Sequence, residues 1–172
     1  MSQPQPTGSI RTRTYSWTDP SATVAALAGR SGIEVLQGML TGELPPPPIM
    51  ITLGIEPVRF EVGDVAFALE PQEMHYNPLG SVHGGVIATL LDSAAGCAVH
   101  SVLPVGVGYT SIDLTTKYLR TVTTGTGRIV AEGSVLSRGS RTALAEARLV
   151  DSQGRLLAHA TSTCLLFPLP TG

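Results

Sequence analysis

From Gly84 to Leu103 the chain is apolar almost without interruption, and this stretch limits what the rest can fold into. A helix apolar nearly all round has to be buried. Its length approaches that of a membrane span. Asp92 and His100 lie inside it, however, and no second such stretch exists, which favours a buried core helix. Just ahead of it stands Asn77-Pro-Leu-Gly80-Ser-Val-His83-Gly84-Gly85, a turn composition ending in a histidine and a glycine pair. The first turn of a helix leaves backbone N–H groups unpaired at its electropositive end. With no Cβ at Gly84 or Gly85, a foreign carbonyl oxygen can approach those donors closely. Such an arrangement can stabilise an oxyanion.

Asp92 is the second costly feature, because a buried ionised carboxylate is unfavourable unless paired or used. The plain alternative is a polar helix residue satisfied by local hydrogen bonds. Asp92 follows Gly84 by eight residues, so it lies roughly 12 Å further along the axis. At about 100° per residue it also faces nearly the opposite side from His83. It cannot easily serve donors at its own helix start. If the two cooperate, a second copy of the chain brings them together, and an active site at a dimer interface is expected.

Asn77-x5-His83-Gly84-Gly85-x6-Asp92, with Gly108-Tyr-Thr-Ser111-Ile-Asp113-Leu and Tyr118-Leu-Arg120 after it, resembles the hotdog-fold acyl-CoA thioesterases of the phenylacetic-acid-degradation (PaaI) type. The likeness runs from about Pro45 to Phe167. It implies an α+β hotdog fold, a long helix wrapped by a curved antiparallel sheet, with active sites formed between subunits of a homodimer or homotetramer. It further implies that Gly84 polarises the thioester carbonyl and that His83 shapes that end. Asn77 would orient the attacking water or the carbonyl, and Asp92 of the partner would be nucleophile or general base. Ser111 or Thr110 matches the hydroxyl that assists the aspartate. Gly85 would border the bound carbonyl. No cofactor is implied beyond the coenzyme A carried by the substrate.

Other features bound the alternatives. Only 14 % of the 172 residues are charged, against about 25 % in an average protein. The apolar excess needs cover, and a subunit interface supplies it. A net charge of −2 without basic clusters argues against nucleic acid. Cys97 and Cys164 read as buried free thiols of a cytoplasmic protein, and Met1 to Thr18 lacks the apolar core of a signal peptide. Neither the cysteines nor His75, His100 and His159 show metal-site spacing. Ser81-Val-His83-Gly-Gly is not the G-x-S-x-G of a serine hydrolase. Arg138 and Arg141, flanking Gly139, are candidates for coenzyme A phosphates because arginine donates bidentately. Arg120 and Lys117 are weaker ones, and a solvated turn is the plain reading of the first pair. A hotdog dehydratase and a non-catalytic acyl-CoA-sensing module remain as alternative functions.

Along the chain, residues 1–18 are expected to form a disordered or loosely ordered N-terminal arm, 19–48 a helix and proline-rich connector, and 49–168 the hotdog domain. Asp19-Pro20 starts a helix from Ser21 to Leu40, interrupted near Gly29 to Gly32, with Leu27, Ile33, Leu36 and Met39 as its buried stripe. Pro45 to Pro48 reads as a stiff polyproline link. Strands are expected over Ile51 to Glu61 and Val65 to Leu69, then, after the long helix, a four-strand meander. Its strands are Tyr109 to Arg120, Gly127 to Leu136, Thr142 to Val150 and Leu156 to Phe167.

Overall fold

The computed structural model describes residues 8–27 and 29–169. Three short helices come first: α1 (Ser21–Leu27), α2 (Gly32–Thr41) and α3 (Pro48–Leu53). Strands β1 (Ile55–Glu61) and β2 (Asp64–Leu69) follow, then the long helix α4 (Gly84–Ser101). The remaining strands are β3 (Val107–Ser111), β4 (Thr115–Tyr118), β5 (Ile129–Arg138), β6 (Thr142–Asp151) and β7 (Leu156–Pro168). All pairings are antiparallel, in the order β1-β2-β5-β6-β7-β3, with β4 also paired to β7. One face of this sheet wraps α4, which is the expected α+β hotdog arrangement. Among the described residues no helix is long and apolar enough to cross a membrane.

Burial explains the wrap. Leu90, Leu91, Ala94, Ala95, Ala98 and Val99 of α4 are fully enclosed, facing Val65, Phe67, Ala131, Ala145, Leu149 and Ala160 of the sheet. Each large side chain so buried contributes about 1.5–3 kcal/mol. Alanines on the helix let the sheet approach closely. At Gly133 of β5 the approach is so tight that a Cβ would lie 2.2 Å from the Ala94 carbonyl oxygen.

The interruption expected near Gly29 to Gly32 is present, since Ser31 and Glu34 make a capping box that starts α2 afresh; the Leu27 side chain lies outside the described residues. Three expectations need correction. The first strand starts at Ile55, not Ile51. Pro47 keeps the extended backbone of the proline run, but Pro48 opens α3 in the position proline tolerates best. Gly54, at φ 72°, ends that helix and turns the chain into β1. The strand read over Tyr109 to Arg120 is broken at Asp113. There a side-chain oxygen accepts the Thr163 N–H at 2.9 Å and the main-chain carbonyl accepts the Ser162 hydroxyl, displacing the regular ladder. Finally, only β5, β6 and β7 form a meander, while β3 and β4 lie on the far side of β7.

Candidate active site

The turn before α4 is tied by Asn77. Its Oδ1 accepts the N–H groups of Leu79 at 2.9 Å and Ser81 at 3.3 Å, while Nδ2 donates to the Ser81 hydroxyl. Gly80, at φ 79°, supplies the left-handed position this loop requires. The Asn77 oxygen is therefore spent on the turn, and one amide N–H remains for another molecule.

His83 caps α4. Its backbone is extended and its Nδ1 accepts the Gly85 N–H at 2.9 Å. Gly85 is thus occupied as a donor. Gly84 is not: among the described residues its N–H has no protein acceptor. The Gly84 carbonyl accepts the Tyr118 hydroxyl at 3.0 Å. A Cβ on Gly84 would come within 3.2 Å of the Tyr118 ring, so glycine lets this strand lock the helix start. Gly84 and Tyr118, with Ser81, Val82, Ile87 and Arg120, border an open cavity of about 290 Å³.

Asp92 sits two turns away on the same helix. Ser111, at the end of β3, donates its hydroxyl to Asp92 Oδ1 at 2.9 Å. Both residues are half-buried. Thr110 is exposed, its hydroxyl directed to the Ser111 carbonyl, because neighbouring strand residues point to opposite faces. Asp92 and Ser111 border a second cavity, about 180 Å³, whose other walls include Phe67, Gly96, Cys97 and Tyr109. Gly96 fits there because a Cβ would lie 3.0 Å from the Tyr109 ring. Burial pushes the Cys97 thiol up to about 12, helped by the charge of Asp92. It also pushes the Tyr109 phenol well above its usual 10.0. Neither ionises near neutral pH, which leaves Asp92 as the carboxylate of this cavity.

The Gly84 and Asp92 cavities share no lining residue. The structure thus brings Asp92 to Ser111 and His83 to the Gly84-Gly85 helix start, holds Asn77 in the turn before it, and keeps the two sets apart within one chain. Arg138, Gly139 and Arg141 form the exposed β5–β6 turn and touch neither set. Among the described residues neither arginine is ion-paired. Across the sheet Thr142 lies beside Leu165 and Leu165 beside Thr110, so the turn is roughly 10 Å, two strand spacings, from the end of β3.

Two contributors were not legible in the sequence. Tyr118 stood inside the quoted motif, yet nothing in its spacing showed a bond to Gly84. The Asp92 cavity also takes walls from α2 and α3, dozens of residues upstream. The remaining histidines are structural in geometry. His75 is buried between the Gln72 N–H and the Leu53 carbonyl, and His159 faces Glu146 at 3.0 Å.

A curved antiparallel sheet wrapped on α4 defines a hotdog domain, here with a capped glycine helix start and a carboxylate held by a strand hydroxyl. Residues 79–158 match the model of the thioesterase superfamily, and the chain belongs to that family. Acyl-coenzyme A thioesterase 13 of Mus musculus is 31 % identical over 96 residues, 55 % of this chain and 67 % of that one. A Halobacterium salinarum protein classed as an esterase is 44 % identical over 73 residues. That match covers 41 % of this chain and 46 %, less than half, of the relative. Among solved structures, a phenylacetic-acid-degradation-related protein of Ralstonia eutropha is 26 % identical with a TM-score of 0.69. It covers 76 % of this chain and 98 % of its own.

Proposed function

We propose that the protein hydrolyses acyl-CoA thioesters to a free acid and coenzyme A, at sites shared between two copies of the chain. The observation that carries this is the Ser111–Asp92 hydrogen bond at the mouth of an apolar cavity. Ser111 holds Oδ1, and among the described residues no protein donor takes Oδ2. That oxygen accepts a proton from water while the water oxygen bonds to the thioester carbon. The carbonyl oxygen, now negative, rests on the Gly84 N–H of the other copy at the positive end of α4. The remaining Asn77 amide N–H orients the same carbonyl. Collapse breaks the C–S bond, and the departing thiolate takes the proton back from Asp92.

An open sheet edge supports the pairing of two copies. Among the described residues the outer edge of β3, beside Ser111, has no partner strand, and an open edge pairs readily with a second copy. Coenzyme A would then lie outward from the Gly84 cavity, with Arg120 there and Arg138 and Arg141 at the β5–β6 turn offered to its phosphates.

The test is thiol release from acetyl-, hexanoyl-, phenylacetyl- and palmitoyl-CoA, wild type beside Asp92→Ala. Turnover in the wild type that falls by a thousandfold or more in the variant is the expected result. Undiminished turnover in Asp92→Ala contradicts the assignment, and binding without turnover in the wild type makes the protein an acyl-CoA sensor instead.

A further inference from the structure

The Asp92 cavity is closed by a part of the chain that lies outside the family match. Leu36 and Met39 of α2, and Pro47, Ile49 and Met50 around α3, form the wall opposite Phe67 and Cys97. This wall is anchored at several points. Gly32, at the start of α2, presses on α4 so closely that a Cβ would lie 1.8 Å from the His100 carbonyl oxygen. Its N–H donates to the Leu103 carbonyl at 3.0 Å. Leu36 is fully buried against the core. At the other end, the free carbonyls that terminate α3 are taken up by side chains: Arg13 donates to Ile51 and Thr52, and His75 to Leu53.

We infer that α2 and α3 act as a length gauge for the acyl group, restricting the protein to short and medium acyl chains. This rests on the hydrolase reading above, in which the thioester carbon lies beside Asp92. From that point an acyl chain can run along the apolar lining that Met39, Ile49 and Met50 supply. The cavity of about 180 Å³ falls below the roughly 300–1,000 Å³ that encloses drug-sized ligands. It therefore encloses a short or medium acyl group and leaves the end of a long chain without cover. The wall is apolar and uncharged, so acyl groups carrying a terminal carboxylate are rejected by desolvation.

Met39 is half-buried and Ile49 exposed on its outer side, so both can change without emptying the core. The experiment uses the full chain and an even-numbered acyl-CoA series from acetyl to palmitoyl. Met39→Ala/Ile49→Ala should move the optimum longer by two or more carbons, raising kcat/KM for the longer chain about tenfold or more. Ile49→Trp should move it shorter, lowering the octanoyl-to-acetyl ratio about tenfold. A ranking unmoved in both, with melting curves like the wild type, overturns the gauge. Titrating the same series onto Asp92→Asn variants with and without these changes separates it from the hydrolase reading. Length preference that shifts in binding, with no wild-type turnover, sustains the gauge and overturns hydrolysis; turnover with unshifted binding preference does the reverse.

Discussion

Asp92 and Ser111 are nineteen residues apart in sequence and meet because α4 lies under the strand that carries the serine. The hydroxyl donates to a carboxylate, a bond contributing about 1.5–3 kcal/mol. If it aligns Asp92 for catalysis, Ser111→Ala should lower kcat by about 10–100-fold while Thr110→Ala stays near wild type; steady-state kinetics on one acyl-CoA checks both. Equal losses in the two variants would contradict the geometry. The sequence left Ser111 and Thr110 open because period-two alternation says that they face opposite sides without saying which side holds the helix. Asn77 was legible as a turn residue, but its commitment to Leu79 and Ser81 depends on loop geometry. Tyr118 was not legible as a lock on Gly84, since a long-range side-chain bond leaves no periodic trace.

At the scale of elements, the long helix and most strands followed directly from hydrophobic patterning, and their ends shifted by only a few residues. The misread segments have local causes. A proline run that continues into helix, and an aspartate that interrupts a strand, override the alternation around them. The α3 segment is held from below by His75, whose two ring nitrogens are both committed: one accepts the Gln72 N–H and the other donates to the Leu53 carbonyl. Only the neutral ring can do both. Burial lowers its pKa below the usual 6.5, against the pull of the Leu53 carbonyl, and the Arg13 charge adds to the lowering. The unfolded chain takes up this proton near 6.5, whereas the folded chain resists it until lower pH. The stability contributed is thus complete above 6.5 and lost as pH falls below it. Thermal melts from pH 7.5 to 5 should show a declining midpoint that flattens in His75→Gln. An identical decline in that variant would remove His75 as the cause.

At the scale of the whole molecule, one chain keeps two sets of candidate residues apart. The free Gly84 N–H borders one cavity and Asp92 the other, roughly 12 Å apart along α4. The composition agrees with the proposal that a second copy joins them, because a chain so poor in charge has apolar surface to cover. That the cover is also catalytic is part of the proposal, and composition carries no sign of it. Gly84→Pro probes this: proline removes the N–H at a first helical position that tolerates it, after a residue already extended at φ −60° and ψ 135°. It also displaces the exposed Tyr118 ring, which a Cβ there would approach at 3.2 Å. Gly84→Pro and Asp92→Asn should each be inactive alone. Co-expressed or refolded together, they should recover about a quarter of the wild-type rate, since half the dimers are mixed and each holds one intact site. If the mixture stays as inactive as its components, each site lies within a single chain and the shared-site account fails.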